Sequence, residues 1–241
     1  MVLLSLLFTL LVCFGLPLGG MAAVKRRFHG RWSVFLVGAL AFFISQICLR
    51  IPLLTLVLPR FAWFGVLQLN VWQYGLFLGA TAALFEEGAR WIGLMLIKRR
   101  GGSLGPECGL AFGLGHGGAE AILLVGVNAL ALLGLFLAGS TAQGFPTAGG
   151  IFLGGAERLF TILFHTGCTL LIAYGLRAGQ GGRWFVLAFA LHTLTDAGVV
   201  ILPAAFGMNM IALEAVIAVF GMATFAAGIF VYRKNAAQKK I

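Results

Sequence analysis

Carboxylate and imidazole side chains lie inside long apolar stretches of this sequence. Seven Asp and Glu residues occur among 241, and five of them, with three of the four histidines, fall in such stretches. Because a charged side chain costs about 3 kcal/mol at the centre of a membrane-spanning helix, residues of this kind indicate a functional site. The candidate site residues are Glu86, Glu87, Arg90, His116, Glu120, His165, His192 and Asp196.

These residue types suit the hydrolysis of a peptide bond. The reaction needs a base for water, a group that stabilises the developing oxyanion and an acid for the leaving amine. Glu86 or Glu87 could be the base, with His116, His165 and His192 as donors. A second mechanism also fits, in which the three neutral histidines hold zinc and a glutamate activates its water. The lack of an HExxH motif slightly favours the metal-free mechanism, so the cofactor is either none or zinc.

The spacing of the candidates places several of them one helical turn apart. Residues at i and i+4 lie on one helix face, where a carboxylate can accept the second N–H of an imidazole and set its tautomer. Adjacent helical residues differ by about 100° in direction, so one glutamate of the pair could face the centre while the other braces a neighbouring helix. The alternative interpretation is a set of satisfied polar contacts between helices. The i, i+4 pairs are Glu86 with Arg90, His116 with Glu120, and His192 with Asp196.

The composition predicts an all-α polytopic membrane helix bundle. Hydrophobic residues make up 61% of the chain and charged residues 10%, whereas soluble domains are roughly one-quarter charged. Apolar stretches long enough to cross a bilayer recur along the whole chain, which therefore forms a single integral membrane domain, 1–241. Residues 71–205 form a four-helix core that carries the motifs, and 1–70 and 206–241 are accessory helices and a basic tail. The predicted spans are 1–24, 32–58, 71–97, 109–138, 150–176, 184–205 and 209–232.

Basic residues predict the orientation of this bundle. They cluster in the loops 25–31, 98–100 and 177–183 and in the tail 233–240, whereas Arg60 lies in an opposite loop. Because short cytoplasmic loops retain Lys and Arg, the N-terminus is expected outside and the C-terminus inside. The net charge of +10 then reflects topology and contact with the lipid bilayer, not binding of nucleic acid. A bacterial inner membrane is the expected location.

The candidates also share one depth in the membrane. Each lies about nine to fourteen residues, or roughly 13–21 Å, from the cytoplasmic end of its helix. Four helices therefore supply one polar layer, expected around a cavity that opens toward the cytoplasmic half. A second layer, near the outer interface, is expected to form ion pairs or to snorkel, although Glu157 could instead line an entrance. This outer layer consists of Arg50, Glu157, Arg158 and Glu214.

Two other sequence patterns indicate neither a catalytic nor a binding site. The segment Gly113-Leu-Gly-His-Gly-Gly118 satisfies GxGxxG, but it lies in an apolar helix and follows no strand, so a dinucleotide site is excluded. Small residues here are expected to let helices approach closely. The four cysteines are scattered and form no CxxC pair.

The motifs resemble those of the YhfC family of intramembrane peptidases and, more distantly, PrsW proteases and the type II CAAX prenyl proteases with their bacterial CPBP relatives. They are EExxR at 86–90, FxxxH at 112–116, Phe164-His165 and HxxxD at 192–196, and Gln46 and Arg50-Ile-Pro52 extend the YhfC pattern. The resemblance implies a membrane-embedded protease, usually labelled a metalloprotease, in which motif glutamates and histidines act on a water. The substrate would be a membrane protein, peptide or lipopeptide.

The motifs also depart from the CAAX pattern at two positions. EExxR is one residue shorter than EExxxR, and Asp196 replaces an Asn, so neither a prenylated substrate nor oxyanion stabilisation by an amide is implied. A proton-coupled transporter would also place histidines and carboxylates at mid-depth, but no inverted repeats are evident. A non-catalytic scaffold is the third hypothesis, and the presence of both glutamates and all three histidines argues against it.

Overall fold

The structure is a computed structural model that describes residues 1–140 and 144–238. Within those ranges the chain is helical with short loops and contains no strand, so the predicted all-α membrane bundle is confirmed. The end of the predicted basic tail, with Lys239 and Lys240, lies outside the described residues. The helices are α1 (Val2–Phe28), α2 (Trp32–Arg60), α3 (Ala62–Gln68), α4 (Val71–Arg99), α5 (Pro106–Leu137), α6 (Ala148–Arg177), α7 (Gly181–Phe206) and α8 (Met210–Gln238).

Each of the seven predicted spans falls on a long helix. Among the described residues, six helices are long and apolar enough to cross a membrane. The helix α4 is not one of the six, although its 29 residues are long enough, because charged residues interrupt its apolar sequence. Its central charges are buried against other helices, with Glu87 and Arg90 both 0% exposed. A seventh crossing by α4 stays a prediction.

The orientation can be tested directly. A reporter enzyme that is active only in the cytoplasm is expected to show activity when it is fused after Ile241, because the charge bias places the tail inside. The same reporter placed in the loop 98–100 should also be active, whereas the reporter placed near Arg60 should be inactive. A tail accessible only from outside would contradict the predicted topology.

Capping residues define where the motif-bearing helices begin and end. The side chain of Asn70 accepts hydrogen bonds from the first backbone N–H groups of α4, and the Thr147 hydroxyl does the same for α6. Pro106 occupies the first turn of α5, and α7 ends at Gly207 in the left-handed conformation. These local signals fix the residues at which the motif-bearing helices begin or end.

Glycines let α5 pass close to two neighbours. Gly113 and Gly117 face α6, and a Cβ at Gly113 would collide with the backbone of Thr166. Gly115 lies on another face of the helix, against the backbone carbonyl of Phe35 in α2. The GxGxxG pattern is therefore a helix-packing feature, as expected from its small residues.

A similar contact places α4 beside α7. Gly75 and Gly79 face α7, and a Cβ at Gly79 would meet the backbone of Thr193. Because the two helices approach this closely, the glutamates two turns along α4 reach His192 on α7. The glycine contacts thus determine which side chains meet in the polar layer.

Substitution of Gly113 tests this packing. Gly113→Ala is expected to lower the free energy of unfolding by about 1–3 kcal/mol, because the new methyl group overpacks a backbone contact. The matched control is Gly134→Ala, also in α5, where a Cβ meets open space. That variant should be neutral or stabilise by up to about 1 kcal/mol through reduced backbone entropy. Unfolding in detergent micelles would measure both, and equal effects would contradict the packing role.

Candidate active site

The carboxylate of Glu86 lies where three histidines meet. Its Oε2 is 3.0 Å from His116 Nε2 and 3.7 Å from His165 Nδ1, and its Oε1 is 3.9 Å from His192 Nε2. All four residues are at most 5% exposed. The four helices α4, α5, α6 and α7 therefore converge on one buried carboxylate.

The neighbouring glutamate has a different role. Glu87 is fully buried, accepts hydrogen bonds from Arg90 on both oxygens and lies 2.8 Å from His192 Nδ1. Because a carboxylate only accepts, His192 donates from Nδ1, and its Nε2 lone pair faces Glu86. The predicted pairing of Arg90 with Glu86 is therefore wrong. Glu86 points about 100° away from Glu87 around α4, toward the histidines, while Arg90 follows Glu87 at i+3.

His165 is held from both sides. Arg90 Nη2 lies 2.8 Å from its Nδ1, and Glu120 Oε2 lies 2.6 Å from its Nε2. Since a guanidinium only donates, Nδ1 accepts and Nε2 carries the proton toward Glu120. The predicted pairing of His116 with Glu120 is wrong, because the Nε2 of His116 is taken by Glu86 across the helix interface.

Arg158 also belongs to the site, although it was not among the site residues predicted from the sequence. Its guanidinium donates a 2.6 Å hydrogen bond to Glu120 and pairs with Glu157, and the residue is only 8% exposed. Of the two expected roles, ion pairing is the one observed for Arg158, because its long side chain reaches inward to these carboxylates instead of snorkelling toward the interface. The spacing contained a signal: Arg158 precedes His165 by seven residues, about two turns, which places both on one face of α6.

Glu157 lines the cavity beside Arg158, whereas the other two members of the predicted outer layer, Arg50 and Glu214, lie apart from this cluster. Arg50 ties α2 to α4 by a 2.8 Å hydrogen bond to the carbonyl of Leu78 and contacts with Gln46 and Thr81. Glu214 on α8 is 9% exposed, and its Oε2 has no partner among the described residues. Neither takes part in the histidine network.

A cavity of about 70 Å³ adjoins these groups and could hold about two waters. It extends toward the start of α6 and the end of α7, away from the basic loops 98–100 and 177–183, whereas the prediction placed the opening at the end of the bundle that carries those loops. The opposite half is filled by a large apolar core that includes Leu94, Phe112 and Ile172. The cavity is lined by Glu86, Glu120, Glu157, Arg158, Thr161, Phe164, His165, His192, Thr195, Asp196, Val199 and Ile217.

Asp196 is the most accessible carboxylate of the predicted set. Its side chain is 39% exposed, and Oδ2 lies 3.7 Å from His192 Nε2, too far for a hydrogen bond. The predicted role of Asp196 as acceptor for the second N–H of His192 is wrong, because Glu87 accepts that proton. All eight predicted site residues nevertheless join one network, in which successive members lie no more than 3.9 Å apart.

Three of these residues fit a zinc ion. One ligand atom from each of Glu86, His165 and His192 lies within 4.8 Å of the other two. Two histidines and one carboxylate, with a fourth position open, form a donor set of catalytic zinc sites. Glu86 replaces His116 in the predicted set, since the Nε2 of His116 contacts Glu86 instead and its Nδ1 has no partner in the described parts of the chain. Arg90 lies 2.8 Å from Nδ1 of His165, so a metal held by that nitrogen would replace this hydrogen bond.

The charge of the cavity also suits a dication. Four carboxylates line it, and Arg158 is the one guanidinium among the lining residues of the described chain. Arg90 is already neutralised by Glu87 behind the histidines. A divalent cation would therefore balance much of the excess negative charge in a medium of low dielectric constant.

Comparison with known proteins assigns the chain to a family of membrane proteins. The family model described as YhfC intramembrane metalloprotease matches residues 11–148 and 140–221. "Uncharacterized membrane protein YhfC" of Bacillus subtilis (strain 168) is 27% identical over 229 residues, and the match covers 86% of this chain and 87% of that protein. No solved structure matches the chain. The matches and the apolar helices show that this integral membrane protein belongs to the YhfC intramembrane metalloprotease family.

Proposed function

We propose that this protein is a zinc-dependent intramembrane peptidase that hydrolyses a peptide bond of a membrane protein or lipopeptide. One observation carries the proposal: the donor atoms of Glu86, His165 and His192 face a buried cavity large enough for water. The description of the family supports the same activity. Both observations favour the metal-dependent mechanism over the metal-free one that the missing HExxH motif slightly favoured.

In this proposal Glu86, His165 and His192 would hold the ion, and His165 Nδ1 and His192 Nε2 are the ring nitrogens that face the Glu86 carboxylate. Bound zinc would polarise the scissile carbonyl and acidify a bound water. Glu87 orients His192 by accepting from Nδ1, and Glu120 orients His165 through the 2.6 Å contact of its Oε2 with Nε2. Such carboxylate partners fix the tautomer and raise the basicity of a ligating imidazole.

Asp196 is the group best placed to move the proton. Each of the other cavity carboxylates already has a partner: Glu86 faces the histidines, and Glu120 and Glu157 bind Arg158. Asp196 lies beside the Nε2 of His192 and remains partly exposed in the cavity. It can therefore accept a proton from the attacking water and deliver it to the leaving amine.

The surroundings of the cavity support hydrolysis over proton-coupled transport. A transporter needs a path that opens alternately to both sides of the membrane. On the side toward the end of α4 and the start of α5, the apolar core around Leu94 and Phe112 closes the bundle. The cavity extends in the opposite direction, toward the start of α6 and the end of α7. Such a one-sided pocket can supply water to a hydrolytic reaction without opening a path across the membrane.

The test uses the purified protein in proteoliposomes with leucine-rich transmembrane peptides that carry a fluorophore and a quencher. We expect cleavage, stoichiometric zinc in the active protein, loss of activity with a strong chelator and recovery when zinc is returned. Activity that survives removal of zinc would instead support the metal-free glutamate mechanism. A zinc-loaded protein that cleaves no membrane peptide would reject the peptidase proposal.

A further inference from the structure

A second hollow continues from the reaction cavity toward the lipid. It is a groove of about 380 Å³ between α7 and α8, with the start of α4 at one end. The two spaces share Thr195, Val199 and Ile217 as a common wall. The remaining lining residues of the groove are Trp72, Leu76, Leu194, Ala197, Gly198, Ile201, Leu202, Phe206, Leu213, Val216 and Phe220.

The sizes of the two spaces suggest different tasks. The reaction cavity holds about two waters and cannot enclose the residues on either side of a scissile bond. The groove falls within the range of roughly 300–1,000 Å³ that is usual for ligand pockets. A substrate that reaches the carboxylates must therefore place its flanking residues outside the cavity, and the groove is the adjoining space with room for them.

The groove is open to the bilayer from the side. Leu194 is 58% exposed, Val199 41% and Phe206 65%, so this seam faces lipid. The helix α8 instead packs closely on α6, where Gly221 lies against the backbone of Phe160. An apolar chain could therefore enter between α7 and α8 without leaving the hydrocarbon region.

We propose that this groove binds the apolar residues next to the scissile bond of a membrane-embedded peptide. The inference rests on the proposed peptidase function and extends it to the substrate class and the route of entry. The walls are apolar, and the Thr195 hydroxyl is already bonded to the carbonyl of Leu191. Such walls select side chains by hydrophobic contact and shape, with little hydrogen bonding.

Charge favours a peptide over a phospholipid as the occupant. Beyond the shared wall, the reaction cavity is lined by four carboxylates, among them Glu157 and Asp196. Among its described lining residues, Arg158 is the one guanidinium. This field repels the phosphate of a lipid headgroup, whereas a neutral peptide backbone carries no such cost. The groove runs from mid-depth to the end of α7 at Phe206, so the bound residues lie on that side of the scissile bond.

Two valine substitutions on α7 test the inference with the transmembrane peptides used above. Val199→Trp fills the passage between groove and cavity, and we expect kcat/KM to fall by about tenfold or more, the scale of a lost apolar pocket contact. The control, Val186→Trp, changes a lipid-facing residue of the same helix that is 63% exposed and lines neither space. It should remain within about twofold of wild type, as surface substitutions usually do.

A binding measurement separates this inference from the peptidase function. The same peptide with a photoreactive apolar residue is bound to the Glu86→Gln chain, and we expect crosslinks at α7 and α8, near Leu202 and Val216. Crosslinks at these positions, together with failure of the wild-type protein to cleave the peptide, would support the docking site and reject the peptidase function. Unchanged cleavage by Val199→Trp, or labelling of the groove by photoreactive phosphatidylcholine but not by the peptide, would overturn the docking site and leave the peptidase standing.

Discussion

Replacing Glu86 with glutamine is expected to remove both bound zinc and peptide cleavage. Glutamine keeps the shape of the side chain but has no anionic oxygen for the ion or for the nearby Nε2 of His116. Removal of a group with this role commonly costs about 10²–10⁴-fold in rate, and we expect a loss near the upper end. Elemental analysis of the purified variant and cleavage of transmembrane peptides would measure the two effects.

Two further variants separate metal binding from proton transfer. Asp196→Asn should retain zinc, because Asp196 is not one of the three donors, yet lose about 10²-fold or more in kcat. Glu107→Gln, in the first turn of α5 and outside the site, should retain both zinc and activity. Wild-type cleavage by Glu86→Gln would reject the assignment of the reaction centre. Loss of zinc from Asp196→Asn would show that this carboxylate is a ligand.

Replacing Arg90 with leucine is expected to produce the largest loss of stability. Arg90 and Glu87 are both 0% exposed, and the substitution would leave the carboxylate buried without its counter-charge. Breaking such a pair from one side typically costs about 3–5 kcal/mol in the free energy of unfolding. The variant also loses the hydrogen bond from Arg90 to His165 Nδ1. Unfolding of the protein in mixed detergent micelles would measure the change.

Two controls determine whether the buried charge is the cause. The double variant Arg90→Leu/Glu87→Leu should recover much of the loss, because an apolar pair can replace a buried ion pair at little cost. Arg50→Leu removes a guanidinium that bonds amide, hydroxyl and carbonyl oxygens, so it orphans no carboxylate and should cost only about 1–3 kcal/mol. Equal losses for Arg50→Leu and Arg90→Leu would contradict the explanation.

The sequence by itself determined the class of protein and eight of the residues that meet at the candidate site. Long apolar stretches require helices in a bilayer, because every backbone polar group must be bonded within its own helix. Ionisable residues are so costly there that their presence at a common depth indicated one polar layer across four helices. Those residues do meet: Glu86 contacts His116, His165 and His192, each from a different helix.

Only the tertiary structure decided which partners these residues take and where the cavity leads. Spacing along one helix suggested the pairs Glu86 with Arg90 and His116 with Glu120, but contacts across helices replaced them. The inward reach of Arg158 and the groove between α7 and α8 also required the folded bundle. The physical reason is that i, i+4 spacing identifies neighbours on a single helix face, whereas partners between helices depend on rotation and separation. Those two quantities are set by backbone contacts at glycines such as Gly79 and Gly113, whose partners lie more than fifty residues away in the chain.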